Sequence, residues 1–143
     1  MQRLHVMLKV ADLETSKQFY STLFAAQPTV EKTDYAKWML DDPRVNFSIA
    51  QTASDHGVEH LGIQAESRDE LAALRERIAR IDGTVRDEGE TVCCYAESDK
   101  TWVTDAQGVS WETFYTHGAS EVYGKRDTDC CDSSCCEDEA EVA

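Results

Sequence analysis

The stretch Leu4-His5-Val6-Met7-Leu8-Lys9-Val10 alternates, with Leu4, Val6, Leu8 and Val10 on one face and His5, Met7 and Lys9 on the other. A period of two marks a half-buried strand. The pattern returns in Val58-Glu59-His60-Leu61-Gly62-Ile63-Gln64-Ala65, where Leu61, Ile63 and Ala65 oppose His60, Gly62 and Gln64. Each histidine lies on the face opposite the apolar stripe. That agreement in phase between two distant segments is hard to obtain by accident.

The elements downstream of each strand repeat as well. Residues 12–24 read as a helix, with Leu13, Ser16, Phe19, Tyr20 and Leu23 at spacings of three and four and Asp12 or Thr15 able to cap the start. Strand-like pieces come next at 29–32, 36–41 and 45–52, the last two separated by Asp42-Pro43. In the second half Ser67 caps an amphipathic helix over 68–81, carrying Leu71, Leu74, Ile78 and Ile81 on one stripe, with Gly83 as its stop. Strands are expected at 84–88, 102–104 and 109–116. The chain is thus β-α-β-β-β twice. This is an α+β class, with two βαβββ modules forming a mixed sheet around a partly closed cleft.

The last strand adds a carboxylate. In Ser110-Trp111-Glu112-Thr113-Phe114-Tyr115, Glu112 points away from Trp111 and Tyr115, in phase with the two histidines. The corresponding place in the first module holds Ser48, so a fourth protein ligand is missing there. A lone strand histidine is usually structural. His5, His60 and Glu112 together form a set that suits a divalent metal such as Fe(II) and leaves positions open for chemistry. His56 and His117 lack a matching partner and read as surface residues.

Composition bounds the rest. The 143 residues fit one domain, large enough to bury a core. The net charge of −14 argues against nucleic acid or an anionic membrane as a partner, since both need a basic patch. Much of that charge lies in an acidic tail, residues 121–143, expected to be disordered; the ordered domain is expected over 1–120, with modules at about 1–53 and 56–117. No apolar run is long enough to span a membrane, and the N-terminal segment reads as a strand rather than a signal peptide, which points to the cytoplasm.

The 6 cysteines come as three adjacent pairs: Cys93–Cys94, Cys130–Cys131 and Cys135–Cys136. Neighbouring cysteines bridge each other only through a strained eight-membered ring. In a cytoplasmic protein such pairs serve metals, metalloids or redox chemistry more often than structure. Cys93 and Cys94 cannot both face one side of a regular strand, so they are expected on a loop between the sixth and seventh strands, as a site for a soft atom. Lys100 is a neighbour able to lower their pKa. Gln64, Tyr115 and Lys100 are candidates for orienting the imidazoles. Metal binding needs neutral imidazoles, so activity is expected to fall below the free value of about 6.5.

With these residues in view, the chain resembles the vicinal oxygen chelate superfamily, which includes glyoxalase I, fosfomycin resistance thiol transferases, bleomycin resistance proteins and type I extradiol dioxygenases. The likeness covers the two modules. A closer resemblance, to the organoarsenical C–As lyases and cadmium-induced proteins, rests on the opening residues 4–13 with Phe19-Tyr20, on Val58-Glu59-His60-Leu61-Gly62, and most specifically on Thr91-Val92-Cys93-Cys94-Tyr95-Ala96, Asp99-Lys100-Thr101-Trp102-Val103 and Gly108-Val109-Ser110-Trp111-Glu112. The resemblance implies an Fe(II)-dependent dioxygenase that cleaves the carbon–arsenic bond of trivalent organoarsenicals with O2 and releases arsenite. Carried over, His5, His60 and Glu112 hold the iron, or another divalent metal, and Cys93 and Cys94 hold the arsenic. The fold accommodates a homodimer. Two alternatives stand beside this reading: a cadmium- or arsenic-binding protein without turnover, and a glyoxalase-like or thiol-transferase metalloenzyme. The second leaves the cysteine pair without a role. The tail cysteines Cys130, Cys131, Cys135 and Cys136 extend heavy-element binding as a further hypothesis.

Overall fold

Eight strands form one sheet in the computed structural model, which describes the backbone of residues 1–82, 85–93 and 96–119 and the side chains of 1–82, 85–86 and 99–116. The first module comprises β1 (Arg3–Val10), α1 (Leu13–Phe24), β2 (Val30–Glu31), β3 (Tyr35–Asp41) and β4 (Arg44–Gln51). The second comprises β5 (Gly57–Ala65), α2 (Arg68–Ile78), β6 (Val85–Cys93), β7 (Ala96–Thr104) and β8 (Ser110–Ala119). The strand order is β2-β3-β4-β1-β5-β8-β7-β6. Each module therefore contributes one half of the sheet, and the halves meet where β1 runs antiparallel to β5. Both first strands pair in parallel with the last strand of their own module. The α+β architecture of paired βαβββ modules is as the repeat predicts, and the modules join within a single chain.

The two faces of the sheet are built differently. On one, Val6, Leu8 and Val10 pack with Val45, Phe47 and Ile49 against Leu13, Tyr20 and Phe24 of α1, around a fully buried Trp38. The indole of Trp38 donates to the Ala26 carbonyl at 3.1 Å. In the second module Leu71 and Leu74 of α2 pack on Ala65, Ile63 and Tyr115. The opposite face carries His5, Met7, Asn46, Ser48, His60 and Gln64, all buried although most are polar. Burial of that many polar groups demands mutual hydrogen bonds.

Local signals set the helices. The Asp12 carboxylate accepts from Thr15 N–H at 2.7 Å, so Asp12 and not Thr15 is the cap of α1. Ser67 caps α2 as expected. That helix ends at Ile78 rather than residue 81, its last turns tightening to Arg80 N–H→Arg77 C=O and Ile81 N–H→Ile78 C=O. Gly83, expected as its stop, lies outside the described residues. The stripe read for α1 is corrected in part: Phe19 and Leu23 are 61% and 64% exposed, and the face that meets the sheet is the buried Leu13 with the partly buried Tyr20 and Phe24.

The largest difference from expectation is a long hairpin. β6 and β7 pair from Val85↔Val103 out to Cys93↔Ala96. The segment expected as a loop before the cysteines is ladder up to Cys93. Its sequence, VRDEGETVC, lacks a sustained apolar alternation, so no period of two announced it. Cys94 and Tyr95 lie outside the described residues, as do the tail and its four cysteines.

Candidate metal centre

Three strands deliver three donors to one point. His5 on β1 stands opposite Gly62 of β5, and Gly62 stands opposite Glu112 of β8. Met7 stands opposite His60. His5, His60 and Glu112 therefore share one face of adjacent strands. Their donor atoms converge: His5 Nε2 to His60 Nε2 is 3.1 Å, His60 Nε2 to Glu112 Oε2 is 3.0 Å, and His5 Nε2 to Glu112 Oε2 is 3.5 Å. All three residues are buried. Ligand bonds of about 2.1 Å set at right angles leave donors about 3 Å apart, and tetrahedral ones somewhat more. The donor set fits a divalent ion by both chemistry and spacing.

Gly62 makes this convergence possible. A Cβ there would lie 2.5 Å from the Glu112 carbonyl oxygen, 3.2 Å from Glu112 Cβ and 3.3 Å from His5 Cδ2. The backbone oxygen cannot step aside cheaply, so the position has room for hydrogen alone. Register also shows why the first module offers no fourth donor at the corresponding place. Gly62 faces Glu112 as Met7 faces Ser48. Ser48 is fully buried, with its hydroxyl 2.9 Å from that of Tyr35, and Met7 fills the space beside them. The first module closes that place with packing.

Surrounding groups orient the donors. His5 Nδ1 lies 3.1 Å from the Asn46 carbonyl. A carbonyl only accepts, so Nδ1 carries the proton and Nε2 presents its lone pair to the centre. The Asn46 amide donates to Gln64 Oε1 at 3.0 Å, and Ser48 donates to Asn46 Oδ1 at 3.4 Å. His60 Nδ1 lies 3.9 Å from Glu59. The ring of Phe114 meets His5 edge-on at 5.2 Å, and Trp102 meets His60 at 4.9 Å.

Lys100 sets the charge. Its ammonium lies 2.5 Å from Glu112 Oε1, with both side chains almost fully buried. One carboxylate oxygen thus faces the lysine and the other faces the histidines. Burial alone would raise the Glu112 pKa, but the Lys100 charge, the His60 hydrogen bond and the His5 ring outweigh it and hold the carboxyl below its usual range. Burial lowers His5 from 6.5 to about 4, against the pull of Glu112 and with help from His60. The loss of the His5 lone pair to protons, expected below 6.5, is thereby moved to about pH 4.

Of the residues expected to orient the imidazoles, Lys100 and Gln64 belong to this surrounding shell, Gln64 through Asn46. Tyr115 does not: it packs on α2 beneath the Arg68 guanidinium. Lys100 directs its charge at Glu112, and the thiols it is expected to activate lie outside the described side chains. Sequence reading missed Asn46, Glu59 and the spatial role of Gly62. The alternation of 44–51 placed Asn46 in phase with Ser48, which was its one available signal. His56 is exposed, as expected.

The sequence matches the model of the Glyoxalase/Bleomycin resistance protein/Dioxygenase superfamily over residues 2–113. This chain belongs to that superfamily. It is 42% identical over 135 residues to a trivalent organoarsenical cleaving enzyme of Bacillus sp. strain MD1, an alignment covering 92% of this chain and 83% of the relative. It is 33% identical to the cadmium-induced protein CadI of Mycobacterium bovis, covering 99% and 97%. Among solved structures, homoprotocatechuate 2,3-dioxygenase from Arthrobacter globiformis superposes with a TM-score of 0.60 at 19% identity, over 82% of this chain and 36% of that one. That likeness is one of fold. Among the described residues, no helix is long and apolar enough to cross a membrane.

Proposed function

We infer that this superfamily member cleaves the carbon–arsenic bond of trivalent organoarsenicals, methylarsenite and aromatic arsenicals among them, and releases arsenite. Fe(II) held by His5, His60 and Glu112 is the cofactor, and O2 is the co-substrate. The observation that carries this reading is a buried His-His-Glu donor set in a chain 42% identical to a protein named for that cleavage. The same donors suit other divalent metals, and two imidazoles with one carboxylate leave positions open for substrate. Fe(II) bound there would supply the activation of O2, which no side chain of the set can perform alone.

The chain's own residues supply the remaining parts. Asn46 fixes the His5 tautomer, and Lys100 steadies Glu112 so that one carboxylate oxygen stays aimed at the histidines. Phe114 and Trp102 flank the two imidazoles with apolar rings, which limits water at the centre. Cys93 and Cys94 hold the substrate. Trivalent arsenic is soft and prefers thiolate, and a monomethyl arsenical has two exchangeable positions, so two thiols clamp it while leaving its carbon free. Such a clamp lowers the barrier by proximity. A cytoplasmic location would keep the thiols reduced.

The test loads Fe(II) anaerobically, adds methylarsenite, admits O2 and measures inorganic arsenite by chromatography. The expected result is arsenite from the native chain and none from His60→Ala or Cys94→Ser. A folded, iron-loaded native protein that forms no arsenite overturns the reading. The cadmium-induced relative supports a second one, sequestration without turnover. Stoichiometric binding with the organoarsenical recovered intact would favour it.

A further inference from the structure

One donor on the metal face has nothing to bond. The indole N–H of Trp102 is shut off from solvent and has no acceptor among the described residues. A buried polar group in that state is costly, and native proteins keep few of them. Its place in the sheet is informative. Register runs His5↔Gly62, Gly62↔Glu112, Glu112↔Trp102 and Trp102↔Arg86 across β1, β5, β8, β7 and β6. Residues directly opposite each other share a face, so Trp102 stands beside Glu112 on the side that carries the donor set. Its ring meets the His60 imidazole at 4.9 Å, tilted by 79°. The orphan donor therefore belongs to the wall of the metal centre.

None of the groups beside it accepts this hydrogen bond. One oxygen of Glu112 faces Lys100 and the other faces His60. Arg86, whose guanidinium lies 5.9 Å from the Trp102 ring centre, and Lys100 are donors only. Phe114 is hydrocarbon. Charge decides what kind of acceptor suits the place. Two neutral imidazoles and one carboxylate leave a divalent ion with one positive charge in excess, and the buried Lys100 adds another. Excess positive charge in a buried setting favours an anion, and an N–H donor in the wall favours one that accepts hydrogen bonds. The same three ligands leave coordination positions open for it.

We propose that Trp102 is the hydrogen-bond donor of a small-anion site at the metal centre, where its N–H holds a compact, singly charged oxygen- or nitrogen-donor anion that fills a coordination position of the divalent ion. Such a ligand satisfies the orphan N–H and the excess charge together. The step is binding alone: no bond within the anion breaks and no electron moves. Trp102 thus adds a polar contact to the apolar screen around His60, and that contact selects among ligands. An anion that accepts a hydrogen bond is held, and a ligand that cannot accept one gains nothing. The assignment rests on the proposed divalent ion at His5, His60 and Glu112, and is independent of the arsenic chemistry.

Azide is the probe. Co(II)-loaded full-length protein is titrated with azide and followed by its visible spectrum. The chains compared are native, Trp102→Phe, and one with Trp102 replaced by benzothienylalanine, which keeps the shape of the side chain and lacks the N–H. Both replacements should weaken azide binding by about ten-fold, the effect of losing one charge-assisted hydrogen bond. Co(II) affinity, read by isothermal titration, should match that of the native chain. The metal-free benzothienyl chain should melt no lower than native, because the N–H has no partner to lose; a purely structural N–H would lower its Tm. In proton–nitrogen correlation spectra of the isotope-labelled, Zn(II)-loaded protein, the Trp102 indole signal, identified by its absence from Trp102→Phe, should move downfield with azide while those of Trp38 and Trp111 stay. Equal azide affinity with and without the N–H, a native Co(II) spectrum that azide leaves unchanged, or a Trp102 signal indifferent to azide overturns the proposal. A protein that binds no Co(II) sinks the divalent-ion reading and this site with it. Absent arsenite formation alongside intact azide binding sinks only the cleavage.

Discussion

Lys100 holds one oxygen of Glu112 in a setting where an unpaired carboxylate would be costly. Replacing it by Met leaves a buried charge without its partner. Metal-free Lys100→Met protein should lose about 3 kcal/mol of stability. Yet the bare carboxylate is a stronger ligand, so a divalent ion should raise the Tm of the variant by more degrees than that of the native protein. Thermal shifts with Mn(II) or Co(II) measure both effects, and a smaller metal-induced shift in the variant would refute the account. The convergence of His5, His60 and Glu112 on one point was legible in the sequence because each had a repeat-matched or phase-matched counterpart. Lys100 was legible only as a nearby cation, since its target depends on the diagonal placement of residues 100 and 112 across β7 and β8. Asn46 acts through its main-chain carbonyl, a role no side-chain pattern reports.

At the level of elements, the sheet is built around absences of side chain as much as around donors. Gly62 is the one place in β5 where His5 and Glu112 approach from the two flanking strands. Gly62→Ala should spread β5 from β8 and weaken divalent-metal binding by at least ten-fold while the helices stay intact. Isothermal titration together with far-UV circular dichroism would show this, and unchanged affinity would count against the packing argument. Helix α1 offers a sharper contrast, because its apolar period fits more residues than one face can bury. Leu13 is buried and Leu23 is 64% exposed. Leu13→Ala should cost about 2–5 kcal/mol, and Leu23→Ala less than about 0.5 kcal/mol, by urea denaturation. Equal costs would mean that Leu23 is covered in solution. The period gave the helix its limits but could not say which side of a wide stripe meets the sheet. The β6–β7 hairpin was the least legible element, because its polar ladder is held by backbone pairing and by the strand beside it.

For the whole molecule, the buried centre ties folding to pH. In the folded, metal-free protein His5 titrates near 4 because burial disfavours its charged form, while the unfolded chain takes up that proton near 6.5. Between those values the unfolded state binds more protons, so stability is fully present above about 6.5 and is lost as pH falls toward 4. The single-site loss from pH 7 to pH 5 is roughly 2 kcal/mol. Glu112 acts in the same direction further down, since its folded-state pKa is also depressed and the unfolded carboxyl gains its proton from about 4.5 downward. Two groups with opposite charge types thus push acid sensitivity the same way. His5→Gln removes the titrating group, so its stability should fall less between pH 7 and pH 5 by about that 2 kcal/mol. Urea titrations of metal-free native and variant protein at the two pH values measure the difference. Parallel losses in both would show that the imidazole of His5 is not held neutral by the fold. A bound divalent ion also requires the neutral ring. Because the fold already keeps His5 in that form, the metal-induced rise in Tm should persist at pH 6, below the value at which a free imidazole is half protonated.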